Sequence, residues 1–74
     1  MNSHLRKYIG HVVTTECGDS VKVIAADYDT AYLYGYSDKQ QQYLRISCED
    51  NSIVGTITID RLRNMAEEGR IYTD

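Results

Sequence analysis

The 74-residue chain has no proline, no phenylalanine and no tryptophan, and only two cysteines and two histidines. No apolar run approaches the roughly 20 residues that cross a bilayer as a helix, and the opening segment MNSHLRKYIG lacks the apolar centre of a secretion signal. The expectation is a cytoplasmic protein with no membrane partner. Cys17 and Cys48 form no CxxC pair, and without a secretion signal they read as reduced thiols rather than a disulfide. His4 and His11 add no HxxxH spacing, so no set of three or four metal ligands is expected. The five glycines are isolated, which excludes a glycine-rich phosphate loop, and no nucleophile elbow is present. These absences point away from an enzyme and from any cofactor. Basic residues are scarce too, 8 against 11 acidic ones for a net charge of −3. General attraction to a phosphate backbone depends on clustered Lys and Arg, so nucleic acid is disfavoured as a partner.

What is present is ordinary for a folded domain: 42% hydrophobic and 26% charged residues, too apolar for a disordered tail. No repeat, linker or composition break divides the chain, so residues 1–74 form one domain. That length lies near the lower limit at which a single core suffices without metal, disulfides or oligomerisation. A second copy or another partner chain would supply further burial.

The local patterns are mainly those of strands. Ser3 is placed to cap a short helix in which Leu5, Tyr8 and Ile9 share a face, and Gly10 suits its left-handed stop. His11–Thr15 and Val21–Ala25, separated by Gly18-Asp19-Ser20, predict a hairpin. Asp27-Tyr28-Asp29-Thr30 predicts a bend, because Asp and Thr side chains bond locally to the backbone. A third strand follows over Ala31–Tyr36, and a polar connector over Ser37–Gln41 leads to a fourth, Tyr43–Cys48. There Leu44, Ile46 and Cys48 point inward and Tyr43 and Arg45 outward. Cys48 thus reads as a small buried hydrophobe. Glu49–Ser52 turns the chain into Ile53–Ile59, whose inward set is Ile53, Ile57 and Ile59. Gly55 interrupts that set where a bulge or a close crossing of backbones is expected. Asp60 is placed to cap a second helix, Arg61–Glu68, with Leu62, Met65 and Ala66 on its apolar face and Gly69 as its stop. Arg70–Asp74 reads as a tail or an edge strand. Five strands joined by short turns predict a small closed or nearly closed barrel, with an open, bent sheet as the alternative.

Five of the seven aromatic residues, all tyrosines, fall between Tyr28 and Tyr43, and Tyr32, Tyr34 and Tyr36 alternate along the third strand. Alternate residues share a face, and tyrosine joins a large apolar ring to a hydroxyl that requires a partner. The row therefore faces outward beneath a helix or subunit, fills part of the core, or forms an exposed ligand platform. Tyr43 and Arg45 on the neighbouring strand extend it. Asp27, Asp29, Glu49 and Asp50 lie in turns, where carboxylates serve turn geometry or form an acidic contact patch. Arg61, Arg63 and Arg70 form the only basic cluster, mixed with Glu67 and Glu68.

The order of elements over residues 5 to 59 resembles the Sm-like small barrels. Tyr28-Asp29 with Tyr32-Leu33 is similar to the first signature of that family, and Ile53-Val54-Gly55-Thr56-Ile57 to the second. Tyr43-Leu44-Arg45-Ile46 and Ile57-Thr58-Ile59-Asp60-Arg61-Leu62 resemble the related barrels of the Rho-termination inhibitor family. The resemblance implies a mainly β, five-stranded antiparallel SH3/Sm-like barrel with short N-terminal and C-terminal helical segments. In the Sm-like family an asparagine and an arginine hold an RNA base; here the first region has no asparagine, and Val54 stands where the arginine would be. The inhibitor barrels act through protein contacts. The expected function is a nonenzymatic adaptor or inhibitor that binds another protein, or a second copy, through Tyr32, Tyr34, Tyr36, Tyr43, Arg45, Asp27 and Asp29. The alternative is single-stranded RNA stacked on the aromatic row.

Overall fold

The computed structural model describes residues 3–27 and 29–73, without the side chains of Ser3 and His4. Ser3 as a cap, His4 as a ligand and Tyr28 in the first signature therefore lie outside the described residues. A 3-10 helix, Ser3–Tyr8, comes first. Gly10 follows with φ 91°, which side chains resist, and its N–H donates to the Val23 carbonyl at 2.8 Å. Five strands come next: β1 (Val12–Thr14), β2 (Ser20–Asp27), β3 (Tyr32–Ser37), β4 (Gln42–Ser47) and β5 (Ile53–Ile57). Helix α1 (Ile59–Glu67) and a short strand β6 (Ile71–Thr73) complete the described chain.

All strand pairs are antiparallel, in the order β1-β2-β3-β4-β5. β2 is long enough for two partners on one edge, β1 along Ser20–Lys22 and β6 along Ala25–Asp27. Of the expected tail or edge strand, Ile71–Thr73 forms an edge strand. The mainly β, antiparallel expectation holds, whereas no ladder joins β1 to β5 among the described residues, so the sheet is open. It curls toward closure without reaching it. Val13 and Ile53 pack on the same buried cluster of Val21, Leu44 and Ile46, and the Glu16 N–H donates to the Asn51 carbonyl at 3.0 Å.

Two bulges set which side chains face which way. Val23 pairs with Gly35 and Ala25 with Tyr34, leaving Ile24 as the extra residue in β2. The slip puts Ala26 with Val21 and Val23 on one face and sends Ala25 to the other. Val23, Ala26, Leu33 and Leu5 of the 3-10 helix form a core on the first face. Ala25, Tyr34 and Ile57 form a second core with Leu62 and Met65 of α1 and Ile71 of β6. Both faces of the middle of the sheet are therefore covered, and Leu33, Tyr34 and Gly35 are buried in succession. Strand parity alone predicts one face of β3 on a core and the other turned away from it.

The second bulge lies at Val54, because Arg45 pairs with Gly55 and Ile46 with Ile53. The expected bulge is thus beside Gly55, but the expected close crossing is not, since a Cβ on Gly55 would meet nothing nearby. The close crossing is at Gly35, where a Cβ would run into the Lys22 carbonyl oxygen and the Val21 side chain.

The end of β5 differs from expectation. Thr58, extended at φ −88° and ψ 157°, caps α1 by accepting the Arg61 N–H at 3.2 Å on Oγ1. Helix thereby begins at Ile59 instead of after Asp60, and Ile59 is exposed rather than part of the inward set. Gly69 stops the helix region as expected, with φ 70°.

Candidate functional site

The register lays the tyrosine row across two strands. Tyr32 stands opposite Ser47, Tyr34 opposite Arg45, and Tyr36 opposite Tyr43. One face thus carries Tyr32, Tyr34, Tyr36, Tyr43 and Arg45, as the alternation predicts. Helix α1 then divides the row.

Tyr34 is 1% exposed, packed beneath Leu62 and Met65. Its hydroxyl donates to Asp27 Oδ2 at 3.1 Å. Asp27 Oδ1 accepts the backbone N–H groups of Asp29 and Thr30, at 2.9 and 3.2 Å, which makes the predicted bend. Burial, then the neighbouring Asp27 charge and hydrogen bond, push the Tyr34 phenol up to about 12, opposed by Arg45. Tyr34 and Asp27 were candidates for a contact surface. Their geometry instead closes a turn onto a core, because a buried phenol requires an acceptor. Asp29 is exposed in that turn, beyond the Tyr32 end of the row.

Arg45 bridges the closed and open halves. Its guanidinium carbon lies 5.8 Å from the Tyr32 ring centre and 5.9 Å from that of Tyr34, so ring faces hold the charge in place. Its Nε is buried with no hydrogen-bond partner.

At the open end Tyr36 is 40% exposed and meets the half-buried Tyr43 edge to face, with ring centres 5.0 Å apart and planes at 69°. These rings border an open cleft of about 580 Å³, which Arg45, Gln41, Gln42 and Arg61 also line. Gln41 arrives from the β3–β4 turn, where it takes φ 55°, and Gln42 opens β4 opposite Ser37. Arg61 arrives from the first turn of α1, oriented through the Thr58 cap. The sequence reading missed all three as site residues. For Arg61 a signal existed in the Thr58 cap, which starts the helix early enough to bring its first turn over the end of β5.

The remaining arginines are engaged elsewhere. Arg63 lies 4.0 Å from Asp60 and Arg70 lies 3.4 Å from Glu68, whereas Arg61 makes no ion pair among the described residues. A separate polar corner joins two turns: the buried Asp19 accepts from Gln40 Nε2 at 2.8 Å and Ser37 Oγ at 3.4 Å, and lies 3.6 Å from Lys39 Nζ. It anchors the cleft's neighbouring turn.

Cys17 is exposed and Cys48 half-buried, both as free thiols. Cys48 packs against the Leu5–Leu33 core, and burial, then the Glu49 charge, raise its pKa. Among the described residues no group of three or more His, Cys, Asp or Glu side chains could hold a metal ion. No described helix is long and apolar enough to cross a membrane. Comparisons of the chain with protein-family models, curated proteins and solved structures find no match.

Proposed function

We propose that this chain is a nonenzymatic, cytoplasmic protein-binding module whose contact surface is the open end of the tyrosine row. The observation that carries the reading is the cleft itself, in which Tyr36 and Tyr43 present large rings beside two arginines and two amide side chains. Rigid aromatic rings and arginines supply much of the energy at protein interfaces, because they bury a large area at little cost in side-chain freedom. Asp27 is committed to the fold, and the acidic bend lies at the Tyr32 end of the row, so neither forms the contact at the open end. Two free thiols suit a reducing compartment.

The likeness to small Sm-like and Rho-inhibitor barrels belongs to the same proposal. The curl of the sheet, with Glu16 bonded to Asn51, supports reading it as an incompletely closed barrel. Val54, at the position where an Sm-like barrel uses an arginine for RNA, is exposed at a bulge and offers no donor.

Affinity capture followed by mass spectrometry tests the reading, with the intact chain compared with Tyr36→Ser and Tyr43→Ser. Loss of the same captured proteins from both folded variants is expected, with solution mass reporting any self-association. Unchanged capture by both variants would remove the cleft from the interface.

A further inference from the structure

We infer that the cleft takes an extended, acidic segment of a partner protein, with a side-chain carboxylate held between Arg45 and Arg61. This rests on the protein-binding reading and adds the chemistry of the occupant. Charge carries it. The chain has 11 acidic residues against 8 basic ones, yet the cleft is lined by two arginines and no carboxylate. Neither arginine has a carboxylate partner among the described residues. Arg63 and Arg70 are each taken up by an acidic neighbour, while Arg61 is left to face the cleft.

Arg45 is positioned by the Tyr32 and Tyr34 rings, so its charge is ordered before any anion arrives. Such preorganisation lowers the cost of forming a charge-assisted hydrogen bond. The first turn of α1 adds the partial positive charge of a helix start, partly countered by the exposed Asp60. An extended occupant fits because β5 ends the strand order, and no other strand pairs with it beyond β4 among the described residues. Its residues Thr56 and Ile57 form part of the cleft wall. A segment laid there can pair with strand backbone while placing alternate side chains in the cleft.

The same features disfavour single-stranded nucleic acid. Two arginines in a chain of net charge −3 do not track a phosphate backbone. The edge-to-face tyrosine pair, with planes at 69°, does not present two parallel faces to successive bases.

The test uses fluorescence anisotropy of the purified full chain at about 50 mM salt, where charge contributions are large. The probes are a labelled random copolymer of glutamate and tyrosine, the matching glutamine and tyrosine copolymer, and labelled oligouridylate. The expected result is preference for the glutamate copolymer, with Arg61→Gln weakening its binding about tenfold and Tyr36→Ser weakening it as well, all with unchanged circular dichroism. Arg61 is exposed, so its replacement leaves the fold intact. Equal binding of the two copolymers, equal binding by Arg61→Gln, no binding of either copolymer, or tighter binding of oligouridylate would each overturn the inference. Equal binding of both copolymers that Tyr36→Ser abolishes would overturn acidic selectivity alone and leave the protein-binding reading standing.

Discussion

Tyr34 and Tyr36 stand two residues apart on the same strand and the same face, yet one is 1% exposed and the other 40%. The difference comes from outside the strand. Helix α1, started at Ile59 by the Thr58 cap, packs Leu62 and Met65 into the core that holds Tyr34 and leaves Tyr36 at the rim of the cleft. The covered ring then needs an acceptor for its hydroxyl and finds Asp27; the uncovered ring can leave its hydroxyl in water. One sequence motif is thus divided by tertiary packing into a part that holds the fold and a part that faces a cleft.

The largest break in that comparison is expected from Tyr34→Ala. It empties the centre of the α1-side core and removes a donor from Asp27, for a loss of about 4 kcal/mol by the usual cost of large aromatic truncation. Urea unfolding measures it, and a loss below about 1 kcal/mol would mean that the ring is not a core residue. A smaller effect separates the hydroxyl from the ring. Because the Tyr34 phenol is raised from 10.0 to about 12, its neutral form favours the folded chain fully below pH 10, and that contribution is lost as pH rises through about 12. Ultraviolet titration of the folded chain should therefore show a late tyrosine step near pH 12 that is absent in Tyr34→Phe. Tyr34→Phe should also destabilise the chain at neutral pH by about 1 to 2 kcal/mol, the loss of one hydrogen bond to a carboxylate. The smallest stability effect belongs to Tyr36→Ser. It removes an exposed ring and one edge-to-face contact, so less than about 1 kcal/mol is expected in the same urea experiment. A loss matching that of Tyr34→Ala would erase the distinction between the two ends.

Much of the fold was legible because short-range patterns decide it. The strands follow β-branched and apolar alternation, Asp27 makes its bend through its own carboxylate, and Gly10 and Gly69 take the left-handed stops. The misreadings share a long-range cause. Gly35, not Gly55, marks the tight crossing, because β2 brings the Lys22 carbonyl and the Val21 side chain against it. The inward set of β5 is split, because the Val54 bulge sends Ile53 and Ile57 to cores on opposite faces and a cap competes with the strand pattern and takes Ile59 into the helix. The burial of Asp19 depends on Ser37, Gln40 and Lys39 from another turn, which no local window contains.

The site was legible only in part. Tyr36, Tyr43 and Arg45 stand where cross-strand register predicts, but the same reasoning grouped them with Tyr34 and Asp27, whose roles depend on what α1 covers. Arg61 joins the cleft from a helix, Gln41 from a turn and Gln42 from the start of β4, so their meeting is a property of the packed chain.

The division of the row is tested most directly by measuring affinity for the glutamate and tyrosine copolymer in Tyr36→Ser and Tyr34→Phe, both confirmed as folded. Tyr36→Ser should lose about tenfold in affinity, or roughly 1.4 kcal/mol, while Tyr34→Phe binds like the intact chain. Loss of binding in Tyr34→Phe with full binding in Tyr36→Ser would contradict the account.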